Sequence, residues 1–455
     1  MKKQLTILTI ILSALLLTVG AELPFGDHEP GLYNGGKPLC LSGGTSCVPG
    51  QLVVKFSPEK SKTIEFNRWK RPHSYHHTPR AEEILINKYG AEIENIRKDR
   101  CSEYYIIETR IGCDMKHLEQ RLLQDPLVEY ASPNYTAAIT AIPDDPFFGY
   151  QYALYNTGQV YLPDLGLAGT TGSDIKAVEG WDWTTGSEDV VIAIIDTGVF
   201  KIHEDLLRKI VPGYNFVDDN YDTEDTNGHG TFVASIAAAE TNNNIGIAGI
   251  SWKAKIMPVK CVGSDGTASY LAIAAAIRYA ADNGAQVINL SLGGEYPSVI
   301  LEDACRYAFE KGCVIVAAAG NNSGPVLYPA AYDDYCLAVA ATDADDNITN
   351  WSNFGPQVDV AAPGDYVFAA LYLPDDPHNY KAYGWGSGTS FAGPYVSGAA
   401  ALLMAYKPFL SNSTVMNLIK YTADDVNEST HPGVDYRMGY GRLNLKSLLG
   451  PYELN

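Results

Sequence analysis

Apolar positions in this chain group into two kinds of run, and the two kinds occupy different stretches. Between Gln51 and Ala131 the runs are short and change period in turn. Leu52 to Phe56 reads as a strand, Ala81 to Tyr89 as a helix, Tyr104 to Thr109 as a strand, His117 to Leu123 as a helix and Val128 to Ala131 as a strand. This order predicts a small α+β unit. From Asp189 onward the strands are apolar at nearly every position: Val190 to Ile195, Ile256 to Val259, Val287 to Leu290, Cys313 to Ala318 and Leu337 to Ala341. Such strands are buried on both faces, and helical runs alternate with them: Thr231 to Ala239, Ala268 to Asn283, Val299 to Lys311 and Phe391 to Ala405. The pattern predicts an α/β fold with a mainly parallel sheet flanked by helices.

The start of the chain adds delivery rather than core. Lys2 and Lys3, an apolar stretch from Leu5 to Val19 and the small residues Val19-Gly20-Ala21 predict a secretory signal peptide of bacterial type over residues 1–21. No other stretch of the sequence is long enough to span a bilayer. Residues 22–49, rich in Gly, Pro and Ser and carrying Cys40 and Cys47, read as a leader. The expected boundaries are therefore 1–21, 22–49, 50–140 for the small unit and 141–455 for the large one.

Charge and cysteine content narrow the picture. A formal net charge of −20 argues against a nucleic-acid surface, which needs clustered Lys and Arg. A secreted, extracellular monomer, off the membrane once the signal is removed, is the expectation. Export permits disulfides, and the eight cysteines divide evenly between Cys40, Cys47, Cys101 and Cys113 and the later Cys261, Cys305, Cys313 and Cys336. If the strand between Cys101 and Cys113 is straight, those two pair with Cys40 and Cys47 rather than with each other. Cys313 and Cys336 open neighbouring strands and form a candidate pair, whereas Cys261 reads as a small buried hydrophobe.

Three motifs pose one chemical problem. A serine hydroxyl is a poor nucleophile near neutral pH and needs a base in hydrogen-bond reach, with a third group to hold that base. Asp196 closes an apolar strand in AIIDTGV, His229 sits at a loop-to-helix junction in NGHGT, and Ser390 in SGTSFAGP opens a helix, where free N–H groups favour negative charge. Taken singly, each is an ordinary cap or turn residue. Together they occur in the order Asp, His, Ser, separated by 33 and 161 residues (229 − 196 and 390 − 229).

On these motifs the chain resembles the subtilisin-like serine proteases, from about Asp145 to Leu449. The resemblance implies a subtilisin-like fold and a serine endopeptidase that hydrolyses peptide bonds in proteins through an acyl-enzyme. It assigns catalysis to Asp196, His229 and Ser390, with the Asn321 side chain after the strand Cys313 to Ala319 as an oxyanion donor beside the Ser390 N–H. The stretch from GQLVVKF to VEYASPNY resembles the inhibitor-like propeptides of the family, so the small unit would fold the enzyme and block it until cut, within Thr136 to Ile142. Phe232, Phe391, Gly393 and Tyr395 depart from the commoner family residues, but none carries a catalytic proton.

The same resemblance places substrate and metal. An extended peptide would lie as an added strand between Gly266-Thr267-Ala268 and Ser291-Leu292-Gly293. Ala268 stands where glycine is frequent, and Leu327 stands at the base of the main specificity pocket, where a smaller residue is common, which implies a shallow pocket. Calcium is the implied cofactor, held by Asp205, the Asn243 side chain and the carbonyls of Thr241, Ile245 and Ile247, with Asp145 as a second carboxylate. The acidic run Asp218, Asp219, Asp222, Glu224 and Asp225 reads as a solvated loop in preference to a site for another ion.

Two other classes fit less well. A binding protein on a protease scaffold would show degenerate catalytic residues, and all four are intact. An α/β-hydrolase esterase needs G-x-S-x-G and the order Ser, Asp, His; Ala392 breaks the pattern and the order differs. Seven N-x-S/T sequons occur, Asn289 and Asn321 among them, and are read as chance, since a glycan on Asn321 would block the oxyanion position.

Overall fold

The computed structural model describes residues 47–57, 80–100, 102–110, 113–135 and 142–450. The expected signal peptide, most of the leader with Cys40, Cys101, and nearly all of the expected processing segment lie outside the described residues. Contacts divide the chain into two compact units that meet in sequence between Ile139 and Thr140.

The smaller unit is built from β1 (Cys47–Phe56), α1 (Ala81–Tyr89), β2 (Ile93–Lys98), β3 (Tyr105–Thr109), α2 (Met115–Leu123) and β4 (Val128–Tyr135). The strands form an antiparallel sheet in the order β2-β3-β1-β4. Leu52, Val54, Leu85, Ile107, Leu118 and Leu122, all with no exposed surface, close its core. α2 starts at Asp114, whose side chain accepts the N–H of His117, which relieves one of the orphan donors of a helix start. β2 escapes the sequence reading because Ile93 and Ile96 are three residues apart rather than two, with a register shift between Ile93 and Asn95.

The larger unit holds seven parallel strands: β5 (Val191–Asp196), β6 (Tyr214–Asn215), β7 (Lys255–Lys260), β8 (Val287–Leu290), β9 (Val314–Ala318), β10 (Cys336–Thr342) and β11 (Val358–Pro363). Their order is β11-β10-β9-β8-β5-β7-β6. The strands alternate strictly between two cores. Ile192, Ile194, Val316 and Val339 pack with α3 (His229–Ala238) and α6 (Thr389–Tyr406). Ala193, Ile195, Ile315 and Ala338 pack with α4 (Tyr270–Asp282) and α5 (Val299–Glu310) on the other face. Such double burial is why these strands read as continuous apolar runs.

Two expectations need correction. β9 and β10 are neighbours, as read, but Cys336 lies opposite Ile315, and the Cys313 thiol donates to the Ala285 carbonyl at 3.1 Å. Both cysteines are free, and Cys336 is hydrogen-bonded to Cys305 instead. The acidic run is also not one solvated loop: Asp218, Asp219 and Asp222 face solvent, but Asp225 is fully buried.

Candidate active site

The sheet delivers its chemistry at the carboxyl ends of the central strands. Asp196 is the last residue of β5, His229 the first of α3, Asn321 follows β9, and Ser390 stands in the first turn of α6. Residues far apart in sequence thus meet at one sheet edge.

His229 Nδ1 lies 2.8 Å and 3.0 Å from the two carboxylate oxygens of Asp196, which is almost fully buried. With Nδ1 as donor, Nε2 is left as an acceptor. Burial disfavours the imidazolium, but the charge and hydrogen bond of Asp196 and the charge of Asp225 outweigh it, so the His229 pKa is raised. The Ser390 hydroxyl donates to the Ser291 carbonyl at 3.2 Å, and among the described residues Nε2 has no partner. Among the described residues His229 is thus joined to Asp196 but makes no hydrogen bond to Ser390; such bonds are often long in enzymes free of substrate.

Asp225 is the residue the sequence reading misplaced. Its Oδ1 accepts Thr197 Oγ1 (2.8 Å) and the N–H groups of Asn227 (3.0 Å) and Gly228 (2.9 Å). Its Oδ2 accepts the Thr231 N–H (3.0 Å) and Thr231 Oγ1 (2.5 Å). One carboxylate therefore binds the turn after Asp196 to the loop carrying His229. Nothing in the sequence separates it from its acidic neighbours except its place four residues before the histidine.

Asn321 Oδ1 accepts both the N–H and the hydroxyl of Thr389, each at 2.8 Å. Its Nδ2 is thereby turned away from the helix, free to donate. The segments expected to line the substrate edge are hydrogen-bonded as well. Gly294 and Tyr328 exchange backbone hydrogen bonds of 2.8 Å and 2.9 Å, an isolated bridge that joins the segment just after Ser291-Leu292-Gly293 to the chain at Leu327. A Cβ on Gly293 would stand 2.9 Å from Leu327 Cβ, and one on Gly320 would stand 2.8 Å from Leu327 Cγ. Leu327 thus fills the slot between these two glycine walls. On the other edge Gly266, Thr267 and Ala268 lie in a turn closed by the Gly263 N–H to the Thr267 carbonyl at 2.9 Å, with Thr267 also held by Asp265.

The residues expected to hold calcium come together as well. Asp205 is fully buried and Asp145 nearly so; burial pushes their carboxyls up to about 7 and about 6, the penalty a nearby cation would offset. Asp205 accepts the Ile247 N–H and the Tyr383 hydroxyl, both at 2.9 Å, and lies 3.3 Å from Asn243 Nδ2. Asp145 accepts the Asn242 N–H at 2.8 Å. Among the described residues the carbonyls of Thr241, Ile245 and Ile247 take no hydrogen bond. The two carboxylates and the three free carbonyls are oxygen donors that suit a hard cation, whereas Asn243 turns its Nδ2 toward Asp205 and accepts the Ile245 N–H on Oδ1 at 2.8 Å. Among the described residues no group of three or more His, Cys, Asp or Glu forms a metal cluster, so such a site depends on its carbonyls. Tyr383 was not foreseen.

A parallel α/β sheet with these groups at its carboxyl edge defines a serine-type endopeptidase. The comparisons agree: the family model described as "Subtilase family" matches residues 187–441. The chain is 42% identical over 325 residues to the thermophilic serine proteinase of Bacillus sp. (strain AK1), covering 71% of this chain and 73% of that one. It is 44% identical over 272 residues to thermitase of Thermoactinomyces vulgaris, covering 59% and 91%. A solved protease of Pseudoalteromonas arctica PAMC 21717 aligns with a TM-score of 0.58 at 28% identity, covering 68% of this chain and 98% of that one. The chain belongs to the subtilase family.

Proposed function

We propose that the chain is a secreted, self-processing endopeptidase whose nucleophile is Ser390. The observation that carries this reading is the Asp196–His229 pair, with contacts of 2.8 Å and 3.0 Å, set beside Ser390 at one sheet edge. In it His229 Nε2 takes the Ser390 proton as Oγ attacks the scissile carbonyl, and later gives it to the leaving amine; Asp196 holds the ring and stabilises the imidazolium. Asn321 Nδ2 and the Ser390 N–H receive the oxyanion, and the position of Ser390 in the first turn of α6 aids negative charge there. The peptide lies between Gly266-Thr267-Ala268 and Ser291-Leu292-Gly293. Leu327, wedged between Gly293 and Gly320, limits the side chain before the scissile bond to small residues.

In the same proposal residues 1–21 direct export, and residues 50–140 act as an inhibitory propeptide removed by the enzyme itself. The α+β build of the smaller unit, with its own closed core, supports a part that folds as a body. Calcium would be held by Asp205, Asn243, Asp145 and the carbonyls of Thr241, Ile245 and Ile247, where it supplies structural stabilisation and takes no part in the chemistry.

The test is to express the chain beside a Ser390→Ala copy and size both. Loss of about 120 residues, the span from Ala21 to the expected processing segment, only from the unmodified chain supports activity, self-processing and the nucleophile together. Equal processing of both overturns self-processing, and a processed protein that a serine-directed phosphonate leaves unlabelled overturns the nucleophile.

A further inference from the structure

The carbonyl of Ser390 lacks the partner a helix normally gives it. In an α-helix the carbonyl of residue i accepts the N–H of residue i+4. Here that residue is Pro394, inside α6, which has no N–H to give. A side chain supplies the missing donor: Ser291 Oγ stands 2.6 Å from the Ser390 carbonyl oxygen. A hydroxyl has a single proton, so Ser291 Oγ must accept its other bond, and it does, from Asn289 Nδ2 at 2.9 Å. Asn289 Oδ1 in turn accepts Ser397 Oγ at 2.8 Å, which fixes the amide's orientation. Every hydrogen bond in this chain runs one way, from Ser397 through Asn289 and Ser291 to Ser390.

The relay is dry and rigidly mounted. Asn289 is 1% exposed, Ser397 0% and Ser291 5%. Asn289 sits on β8 between Ile194 of β5 and Val316 of β9, in the middle of the sheet. Ser397 lies nearly two turns further along α6 than the serine it serves. In so buried a place a polar group without a partner is costly, so the amide has a task, and the task visible here is at Ser390.

We propose that Asn289 is a positioning residue for the nucleophile: through Ser291 it supplies the Ser390 carbonyl with the donor that Pro394 withholds, and so fixes the angle at which the Ser390 hydroxyl meets His229 and substrate. This rests on Ser390 being the nucleophile. It also ties the substrate edge to the catalytic helix. Ser291 gives its side chain to the Ser390 carbonyl and takes the Ser390 hydroxyl on its own carbonyl, so the two segments hold each other at both ends.

The experiment uses the processed full chain and three changes. Asn289→Asp keeps the shape and still accepts from Ser397, but draws the Ser291 proton to itself and away from Ser390. Ser291→Ala removes the donor outright and serves if the first variant fails to fold. Pro394→Ala, added to either, restores a backbone N–H to the Ser390 carbonyl. Kinetics on a short peptide anilide and the rate of phosphonate inactivation are read together. Asn289→Asp and Ser291→Ala should each lower kcat and the inactivation rate by about 10- to 100-fold with little change in KM, the size expected for a small misplacement of a reacting group. Adding Pro394→Ala should recover about tenfold of that loss, since the carbonyl regains a donor. Wild-type rates in both single variants, a loss confined to KM, or a kcat loss that Pro394→Ala leaves untouched would each overturn the proposal. Failure of the phosphonate to label Ser390 in the unmodified enzyme would instead overturn the reading of the nucleophile.

Discussion

Thr389 Oγ1 lies 2.8 Å from Asn321 Oδ1, and the Thr389 N–H reaches the same oxygen at the same distance. Two donors on one oxygen leave the asparagine a single stable orientation, with its amide nitrogen facing outward. Asn321→Ala should lower kcat on the order of 10²–10³-fold, the size known for such a donor in subtilisin itself. Thr389→Val should cost less, about tenfold in kcat with KM unchanged, because the backbone donor remains. Steady-state kinetics on one peptide substrate checks both, and a Thr389→Val enzyme of full activity would show that the hydroxyl does not orient the amide.

With His229 as the proposed base, its raised pKa should set the acid side of the pH profile. The base works when neutral, so kcat/KM should rise with pH through a value above the ordinary histidine pKa of 6.5. Asp225→Asn removes one of the anions that favour the imidazolium, and the acid limb should move to lower pH. By linkage the raised pKa contributes stability below the unfolded-state value, a contribution lost as pH rises through the folded one. A pH profile of kcat/KM for both enzymes is the check, and an unmoved limb would mean Asp225 acts only through its hydrogen bonds.

Leu327 predicts the side-chain preference. Peptides with Ala or Gly before the scissile bond should be cut better than those with Phe or Leu. Leu327→Gly should shift the ratio of kcat/KM toward the larger residues by about 10- to 100-fold, since each methylene of pocket space is worth a large factor. An unchanged ratio in a set of matched peptides would place the pocket elsewhere.

Calcium should stabilise without entering the reaction. In a Ser390→Ala background, which avoids self-digestion, a chelator should lower Tm by roughly 5 °C, and Asp205→Asn should remove that response. Thermal scans with and without calcium decide it; a chelator response that survives Asp205→Asn would exclude this loop as the site.

Much of this was readable from residue order alone. Doubly buried strands announce themselves as apolar runs, and Asp196, His229 and Ser390 stand in motifs whose glycines and small residues mark sharp turns at strand and helix ends. What escaped depends on register and on burial of polar groups. β11 was missed because Asp359 and Pro363 interrupt its apolar pattern; in place, Asp359 is buried 3.2 Å from Lys420, and Pro363 closes an edge strand where a missing N–H is tolerated. The neighbours β9 and β10 were foreseen, but the stagger that puts Cys336 beside Ile315 has no local signature. Asp225 closes a run in which Asp218, Asp219 and Asp222 are exposed, and only the three-dimensional path of the loop shows which acid turns inward.

The polar relay behind Ser390 has a consequence for biosynthesis. Asn289, Leu290 and Ser291 together spell an acceptor sequence for N-linked sugar, and the two polar members are the ones the relay requires. A eukaryotic secretory pathway modifies such asparagines on the nascent chain, before β8 is enclosed. A glycan there has no room once Asn289 is 1% exposed. In such a host the order of events would decide the yield, with every chain that meets the transferase before its sheet closes lost to folding; a host without that machinery poses no such race.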